Sequence, residues 1–386
     1  MKKMALAEAI AALVGTTIGA GVFTLPYVAN LSGVAVSIFW LIFVSLIIIF
    51  LHLAFGEIVL RTPNDYRLPG YTGYYLGTPA KKFILITTFL TFSISLLVYL
   101  ILGTQFFGLL LENFKIVNLE PNLILLFLWL IFNLSILDKS NTLASKINFY
   151  LSFILIFLFL VIAFFALPQI DFTKINFFNS TNKFGALIPY GVFFYALNGA
   201  VAVPEVIAIL KKHNLQQKTK SVIKIGSLIP VFIYFIFIIA VLGVAGSNVS
   251  KEAITSLIPV LGKSVAFIGA LVGLLTVATS YLIFATYIKN SFMSDFGWTP
   301  FISYLVVILG PIVFYLLGLQ NVIKLTSFIG GMVGGLEGVM IILILKKAKE
   351  KKELNPPYEL PLNKILTGIL IAALIIGALC QTFLVY

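Results

Sequence analysis

Apolar runs long enough to cross a bilayer as helices recur along almost the whole chain. They fall at 5–28, 34–60, 82–111, 122–137, 145–167, 184–210, 222–245, 263–288, 299–317, 324–345 and 363–385. At 1.5 Å of rise per residue they predict about 11 spans, the fourth being the shortest. The first run breaks its own pattern. At 15–26 it reads Gly-Thr-Thr-Ile-Gly-Ala-Gly-Val-Phe-Thr-Leu-Pro, which gathers the residues least suited to a helix interior. Irregular backbone at membrane depth is tolerated only where protein or a watery cavity satisfies it. The stretch therefore predicts a helix broken near mid-membrane, with peptide groups offered to a ligand.

The sixth run carries a counterpart. Phe-Phe-Tyr-Ala-Leu-Asn-Gly-Ala-Val-Ala-Val-Pro-Glu occupies 193–205, and Gly199 and Pro204 repeat the spacing of Gly21 and Pro26. The two runs are five spans apart, an odd number, so they cross the membrane in opposite directions. Paired interruptions in antiparallel halves predict an inverted-repeat transporter with its site at the breaks.

Composition agrees: 60% of the 386 residues are hydrophobic and 10% charged. That balance excludes a soluble domain. The net charge of +12 would suggest nucleic acid were it not for its placement. With a cytoplasmic N-terminus, 20 of the 26 Lys and Arg fall on the inner side. Lys115, Lys174, Lys183, Lys251, Lys263 and Lys324 fall outside. The excess is a topology signal for a multi-pass protein of the cell membrane, its C-terminus outside, with the lipid bilayer and not nucleic acid as its surroundings. Lys346–Glu359, with Pro356 and Pro357, reads as a solvated inner loop. No cleavable leader is expected at the N-terminus, and the single cysteine, Cys380, reads as a small buried hydrophobe.

For a zwitterionic amino acid, the substrate class implied by the family resemblance given below, donors are needed for the carboxylate and acceptors for the ammonium, and unwound helices supply both. N–H groups of Gly19, Ala20 and Gly21, beside Thr16 and Thr17, open the second half of span one, whose dipole suits an anion. Carbonyls around Tyr195, Ala196 and Asn198 suit the ammonium. Phe193, Phe194 and Tyr195, with Tyr99 of span three, provide an apolar or aromatic wall. No charged partner for a substrate side chain is evident, which favours a neutral substrate.

Three acids lie inside apolar spans: Glu8, Glu205 and Glu337. Glu205 follows Pro204 and has two readings, proton coupling or ordinary chemistry at a half-helix start. Glu337, among Gly334, Gly335 and Gly338, reads as a coupling or gating residue or as part of a packing face. Glu57 and Arg61 read as an i,i+4 pair, and His52 has no evident partner and no assigned role. Two histidines, one cysteine and no His-Glu-x-x-His leave little for an enzyme, and no channel filter is visible. No cofactor is expected.

The stretch at 15–27 resembles the first-helix signature of the amino acid/auxin permease branch of the amino acid–polyamine–organocation superfamily. Pro-Tyr-Gly-Val-Phe-Phe-Tyr-Ala-Leu-Asn-Gly-Ala at 189–200 is similar to that group's sixth helix. Glu-Ile-Val-Leu-Arg-Thr-Pro at 57–63, with Leu-Pro-Gly-Tyr-Thr-Gly-Tyr-Tyr-Leu-Gly at 68–77, resembles its second-helix exit and loop. The resemblance implies an all-α LeuT-type bundle of five-plus-five inverted helices with one additional C-terminal helix. Its expected division is 1–167 for the first repeat, 184–345 for the second, 346–362 for a cytoplasmic loop and 363–386 for the extra helix.

The function it implies is secondary active import of a neutral, large apolar or aromatic amino acid by cation-coupled symport. An amino acid sensor or an exchanger without net cation coupling is the alternative. Sodium-coupled members of the fold place two hydroxyls of helix eight against carbonyls of the helix-one break. Carried over, the sodium ligands are the carbonyls of Gly15, Ile18 and Thr276 and the hydroxyls of Thr279 and Ser280. Some proton-coupled relatives put a helix-five lysine there, where this chain has Leu155. Sodium and proton both stand as coupling ions, and hydroxyls that bond their own helix remain the alternative for Thr279 and Ser280. Nothing in the pattern sets the oligomeric state.

Overall fold

The computed structural model describes residues 2–113, 119–136, 141–178 and 185–385, with the side chains of 113, 141–152, 155 and 382–385 left aside. Lys115, Lys139 and Lys183 therefore lie outside the described residues, as do the side chains of Lys146 and Leu155. Every regular element among the described residues is helical. Seven helical stretches are long and apolar enough to cross a membrane, and a bent pair, Lys2–Thr17 with Ala20–Ser32, makes an eighth. Three shorter apolar helices, Pro121–Ile136, Ile156–Gln169 and Pro300–Leu316, occupy the remaining expected spans.

Span one is α1 (Lys2–Thr17), a short 3-10 turn (Ala20–Thr24) and α2 (Leu25–Ser32), bent by 48°. Span two is α3 (Val34–Arg61), followed by a short, largely buried helix α4 (Leu68–Leu76). Spans three to five are α5 (Thr78–Asn113), α6 (Pro121–Ile136) and α7 (Asn141–Ala166). Span six divides into α8 (Ile188–Leu197) and α9 (Val203–Lys212). Then come α10 (Thr219–Ala245), α11 (Ile258–Phe296) and α12 (Pro300–Leu316). Span ten joins α13 (Val322–Phe328) to α14 (Gly334–Lys351) through one turn of π-helix, Ile329–Val333, and α15 (Lys364–Val385) is span eleven.

Several helices, α5 and α11 among them, overrun the apolar runs that predict them. The expected start of span eight at 263 marks a different boundary. Gly262, at φ 80°, interrupts α11 there, a conformation that suits glycine.

Helices six and ten meet backbone to backbone. A Cβ on Gly191 would collide with the Ser327 carbonyl, and one on Gly330 with the Gly191 carbonyl and the Tyr195 amide. Span eleven fastens the same pair: Gln381 Nε2 donates to the Leu187 carbonyl at 2.7 Å, and Ser327 Oγ bonds Gln381 Oε1.

The solvated-loop expectation for 346–359 needs correction. Helix α14 continues to Lys351, and the loop then turns back onto span two. Tyr358 donates to the Leu53 carbonyl at 2.7 Å, and Leu360 N–H donates to Glu57 Oε2 at 2.7 Å. Glu57 is fully buried and takes Arg61 Nε at 2.9 Å and Lys349 Nζ at 2.8 Å, so it is far more than an i,i+4 partner. Arg61 Nη2 reaches exposed Glu359 at 2.8 Å. That hydrogen bond, with the Arg61 and Lys349 charges, holds the Glu359 carboxyl below its ordinary range. Two helices, α3 and α14, and the loop after α14 are thus strapped together at one end of the bundle.

Candidate functional site

The break in span one follows from where its amides go. Gly19 N–H turns to the Thr17 carbonyl at 2.9 Å, and Val22 N–H to the Gly19 carbonyl at 3.3 Å. In an unbroken helix these amides would serve Gly15 and Ile18. Both carbonyls proposed as sodium ligands have therefore lost their usual helical donors. Ala20 and Gly21 begin the next turn, where first-turn N–H groups lack intrahelical partners. The Thr16 and Thr17 hydroxyls bond back to Ala12 and Leu13 at 2.9 and 2.8 Å.

In span six, α8 ends at Leu197, and Asn198 and Gly199 leave helical geometry. The Asn198 side chain accepts Ala200 N–H at 3.2 Å, while Gly199 N–H leaves its own chain and donates to His52 Nε2 at 3.1 Å. A Cβ at Gly199 would collide with the Thr17 hydroxyl, so only glycine lets the two breaks touch.

Tyr234 of α10 joins the breaks. Its buried hydroxyl lies 2.8 Å from the Thr17 carbonyl and 2.9 Å from the Ala196 carbonyl. Gly21 packs opposite, and a Cβ built on it would stand 3.2 Å from the Tyr195 ring and 3.3 Å from Ala196 Cα.

The structure brings most of the residues singled out for substrate into one small central cavity of about 10 Å³. Thr16, Thr17, Gly19, Gly21, Tyr99, Tyr195, Ala196 and Asn198 line it, joined by Phe284, which sequence reasoning missed. Phe194 instead lines an adjoining cavity of about 60 Å³ with Phe92, Phe284, Tyr287, Thr91 and Glu337. Ala20 is buried but lines neither. The Thr91 hydroxyl donates to Glu337 at 3.3 Å, so this acid faces the aromatic cavity. The Tyr195 hydroxyl is buried without a hydrogen-bond partner, flanked by Tyr99 and Ser95.

Hydroxyls of α11 approach the span-one break unevenly. Ser280 Oγ lies 3.3 Å from where a Gly19 Cβ would be. Thr279 donates to the Leu275 and Thr276 carbonyls at 2.9 and 3.1 Å, and Thr276 to Val272 at 2.7 Å. Glu205 lines a larger cavity of about 430 Å³, with Thr16, Arg67, Ala202, Tyr287 and Asn290. Another, of about 380 Å³, is lined by Gln105, Lys251, Asn321 and neighbours. The central site is thus a pinched, uncharged space built from main-chain dipoles and aromatic rings.

The sequence model of the tryptophan/tyrosine permease family matches residues 2–381. No curated protein matches the chain. Among solved structures, the fold is similar to Mhp1, a nucleobase-cation-symport-1 family transporter, in a closed conformation with bromovinylhydantoin bound. That match has a TM-score of 0.65 at 14% identity and covers 98% of this chain and 91% of the other. It is similar to MhsT in complex with L-phenylalanine, with a TM-score of 0.62 at 14% identity and 97% of each chain covered. A point mutant of the Eremococcus coleocola manganese transporter matches with a TM-score of 0.68 at 13% identity, covering 99% of this chain and 86% of the other. The fold is therefore the LeuT type, carried by helices that span a membrane.

Proposed function

This chain belongs to the tryptophan/tyrosine permease family, and on that premise we propose that it moves an aromatic amino acid across the membrane by alternating access around its two broken helices. The observation that carries the reading is the pairing of the breaks. Gly19 and Gly21 of one break and Tyr195, Ala196 and Asn198 of the other line one cavity, and a single tyrosine ties the two segments together.

The first-turn N–H groups of Ala20 and Gly21 take the carboxylate, joined by Gly19 N–H once it leaves the Thr17 carbonyl that it holds here at 2.9 Å. The ammonium goes to the Tyr195 and Ala196 carbonyls and the Asn198 region; Ala196 shares its oxygen with Tyr234. The ring goes toward Phe194 and the adjoining aromatic cavity, with Tyr195, Asn198 and Phe284 lining both spaces. That a protein of this fold is solved with L-phenylalanine bound supports an aromatic substrate. The amino acid/auxin permease branch is the closer grouping suggested by the motifs.

For coupling, the Gly15 and Ile18 carbonyls released from helical bonding support a sodium site completed by Thr276, Thr279 and Ser280. Glu205, at the 430 Å³ cavity, and Glu337 are the acids proposed for coupling or gating. The repeats run over 1–167 and 184–345, with the N-terminus cytoplasmic and, after an odd number of spans, the C-terminus outside.

The test is uptake into proteoliposomes of tryptophan, tyrosine and phenylalanine under imposed sodium or proton gradients. Accumulation driven by either gradient is expected. Movement of substrate only against substrate would identify an exchanger, and no movement of any aromatic amino acid would overturn the reading. Glu205→Gln separates that acid's roles: uptake kept with pH dependence lost supports coupling, and loss of folded protein supports capping.

A further inference from the structure

His52 lies within α3 with none of its surface exposed, yet both ring nitrogens reach neighbouring spans at the site. Nε2 lies 3.1 Å from the Gly199 amide nitrogen in the break of span six. Nδ1 lies 2.9 Å from Ser227 Oγ of α10, the helix that also carries Tyr234. A backbone N–H can only donate, so Nε2 must be the acceptor and bare of a proton. A neutral imidazole then carries its hydrogen on Nδ1 and donates it to Ser227. The bonding partners fix the tautomer.

We propose that His52 is the positioning residue that ties the span-six break to the binding of one proton. Protonation at Nε2 would set an N–H against the Gly199 N–H, two donors facing each other at bonding distance. The bond to Gly199 cannot survive that change, so the proton is accepted only as the break withdraws from α3. Neutral His52 holds the closed arrangement described above; protonated His52 selects one in which Gly199 has moved. The groups facing the ring are Gly199 and Asn198 from span six and Ser227 from α10. Among the described residues no carboxylate is bonded to the ring, so protonation would leave its charge without a counter-ion in this arrangement.

The local sequence makes such a contact possible. Gly199 has no side chain, so its amide can approach the imidazole while its other face meets Thr17. Val201 and Ala202, just beyond it, line the 430 Å³ cavity, so withdrawal of the break opens the ring toward that space. The proposal deepens the transport reading and rests on it for its meaning, though not for its physical test.

Two measurements decide it. The first is exchange of labelled tryptophan in proteoliposomes between about pH 4 and about pH 8, a window that takes in the ordinary imidazole range and its acid side. Wild type should change rate about tenfold per pH unit on one side of its midpoint, the slope of a single proton. His52→Gln, whose amide oxygen can take the Gly199 N–H without titrating, should exchange at about a third or more of the wild-type plateau with that slope gone. Ser227→Ala should keep the slope and move its midpoint. A His52→Gln protein that keeps the wild-type pH profile overturns the proposal.

The second measurement needs neither transport nor a variant. Hydrogen exchange of the segment 196–203 in wild-type protein, corrected for intrinsic rate, should show protection falling as pH drops through the same midpoint. Protection that is flat across the range overturns the proposal even if the variant fails to fold. Absence of exchange of any aromatic amino acid at every pH counts against the transport reading, and the hydrogen-exchange result then decides the proton switch alone.

Discussion

The hydroxyl of Tyr234 lies 2.8 Å from the carbonyl of Thr17, and the same oxygen stands 2.9 Å from the carbonyl of Ala196. One phenolic proton therefore serves two unwound segments from opposite halves of the chain. Tyr234→Phe keeps the ring and removes that proton. Buried acceptors left without a donor cost about 1–3 kcal/mol. A fall in the thermal midpoint of the detergent-solubilised protein is expected, together with slower initial uptake. If both stay at wild-type values, the tie has no energetic weight.

Gly21→Leu tests the close approach of the breaks. Even the first carbon of a side chain would sit 3.2 Å from Tyr195 and 3.3 Å from Ala196, and the rest of a leucine would enter the central cavity. Overpacking of this kind costs about 1–3 kcal/mol, little against membrane insertion. The variant should reach the membrane in normal amount and fail to bind or carry substrate. Binding measured by calorimetry or scintillation proximity reads the difference.

The proposed sodium site has its own variant. Thr279→Ala with Ser280→Ala removes both hydroxyls offered to the ion and leaves the span-one carbonyls in place. Sodium stimulation of uptake should disappear while sodium-independent binding persists. Unchanged sodium dependence in the double variant would remove these residues from the coupling scheme.

Glu57 should be far less replaceable. It is buried and takes two cations and the Leu360 amide. Glu57→Ala leaves Arg61, 3% exposed, with only Glu359 for company. Breaking a buried pair by deleting one partner costs about 3–5 kcal/mol. Thermal unfolding should shift down markedly, whereas Lys347→Ala, on an exposed pair, should change little.

The strap should also loosen in acid. Arg61 holds the Glu359 carboxyl below its ordinary value in the folded protein. The stabilisation is therefore complete above the ordinary glutamate value, about pH 4.3, and is lost as pH falls through the lowered folded one. Hydrogen exchange in 352–363 should quicken over that acid range alone. Quickening near neutrality would assign the effect to another group.

The breaks were legible because their cause is local: glycine, paired threonines and proline at 15–26, and glycine and proline at 199–204, spoil helix wherever they occur. Most of the cavity-lining residues follow from adjacency to those breaks. Tyr234 and His52 were not legible, since a tyrosine or histidine in an apolar run looks like any other until the fold sets it beside a free amide or carbonyl. Phe284 was hidden among 36 phenylalanines for the same reason. The burial of Tyr358 and Leu360 depends on Glu57, some three hundred residues away, and no pattern within a proline-rich charged loop announces it.

The π turn at Ile329–Val333 places one more residue in span ten than regular winding would hold. At 3.6 residues per turn, one residue is about 100° of rotation. The turn thus acts as a phase offset between α13, whose Ser327 faces Gln381, and α14, whose Glu337 faces Thr91 and the aromatic cavity. If this turn relaxed to ordinary winding while its lower end stayed strapped through Lys349, the upper end would have to rotate instead. Gly330 and Ser327, in backbone contact with span six, would then turn with it. Span ten thus carries a rotation of about 100° built into five residues, setting which face meets span eleven and which meets the aromatic cavity.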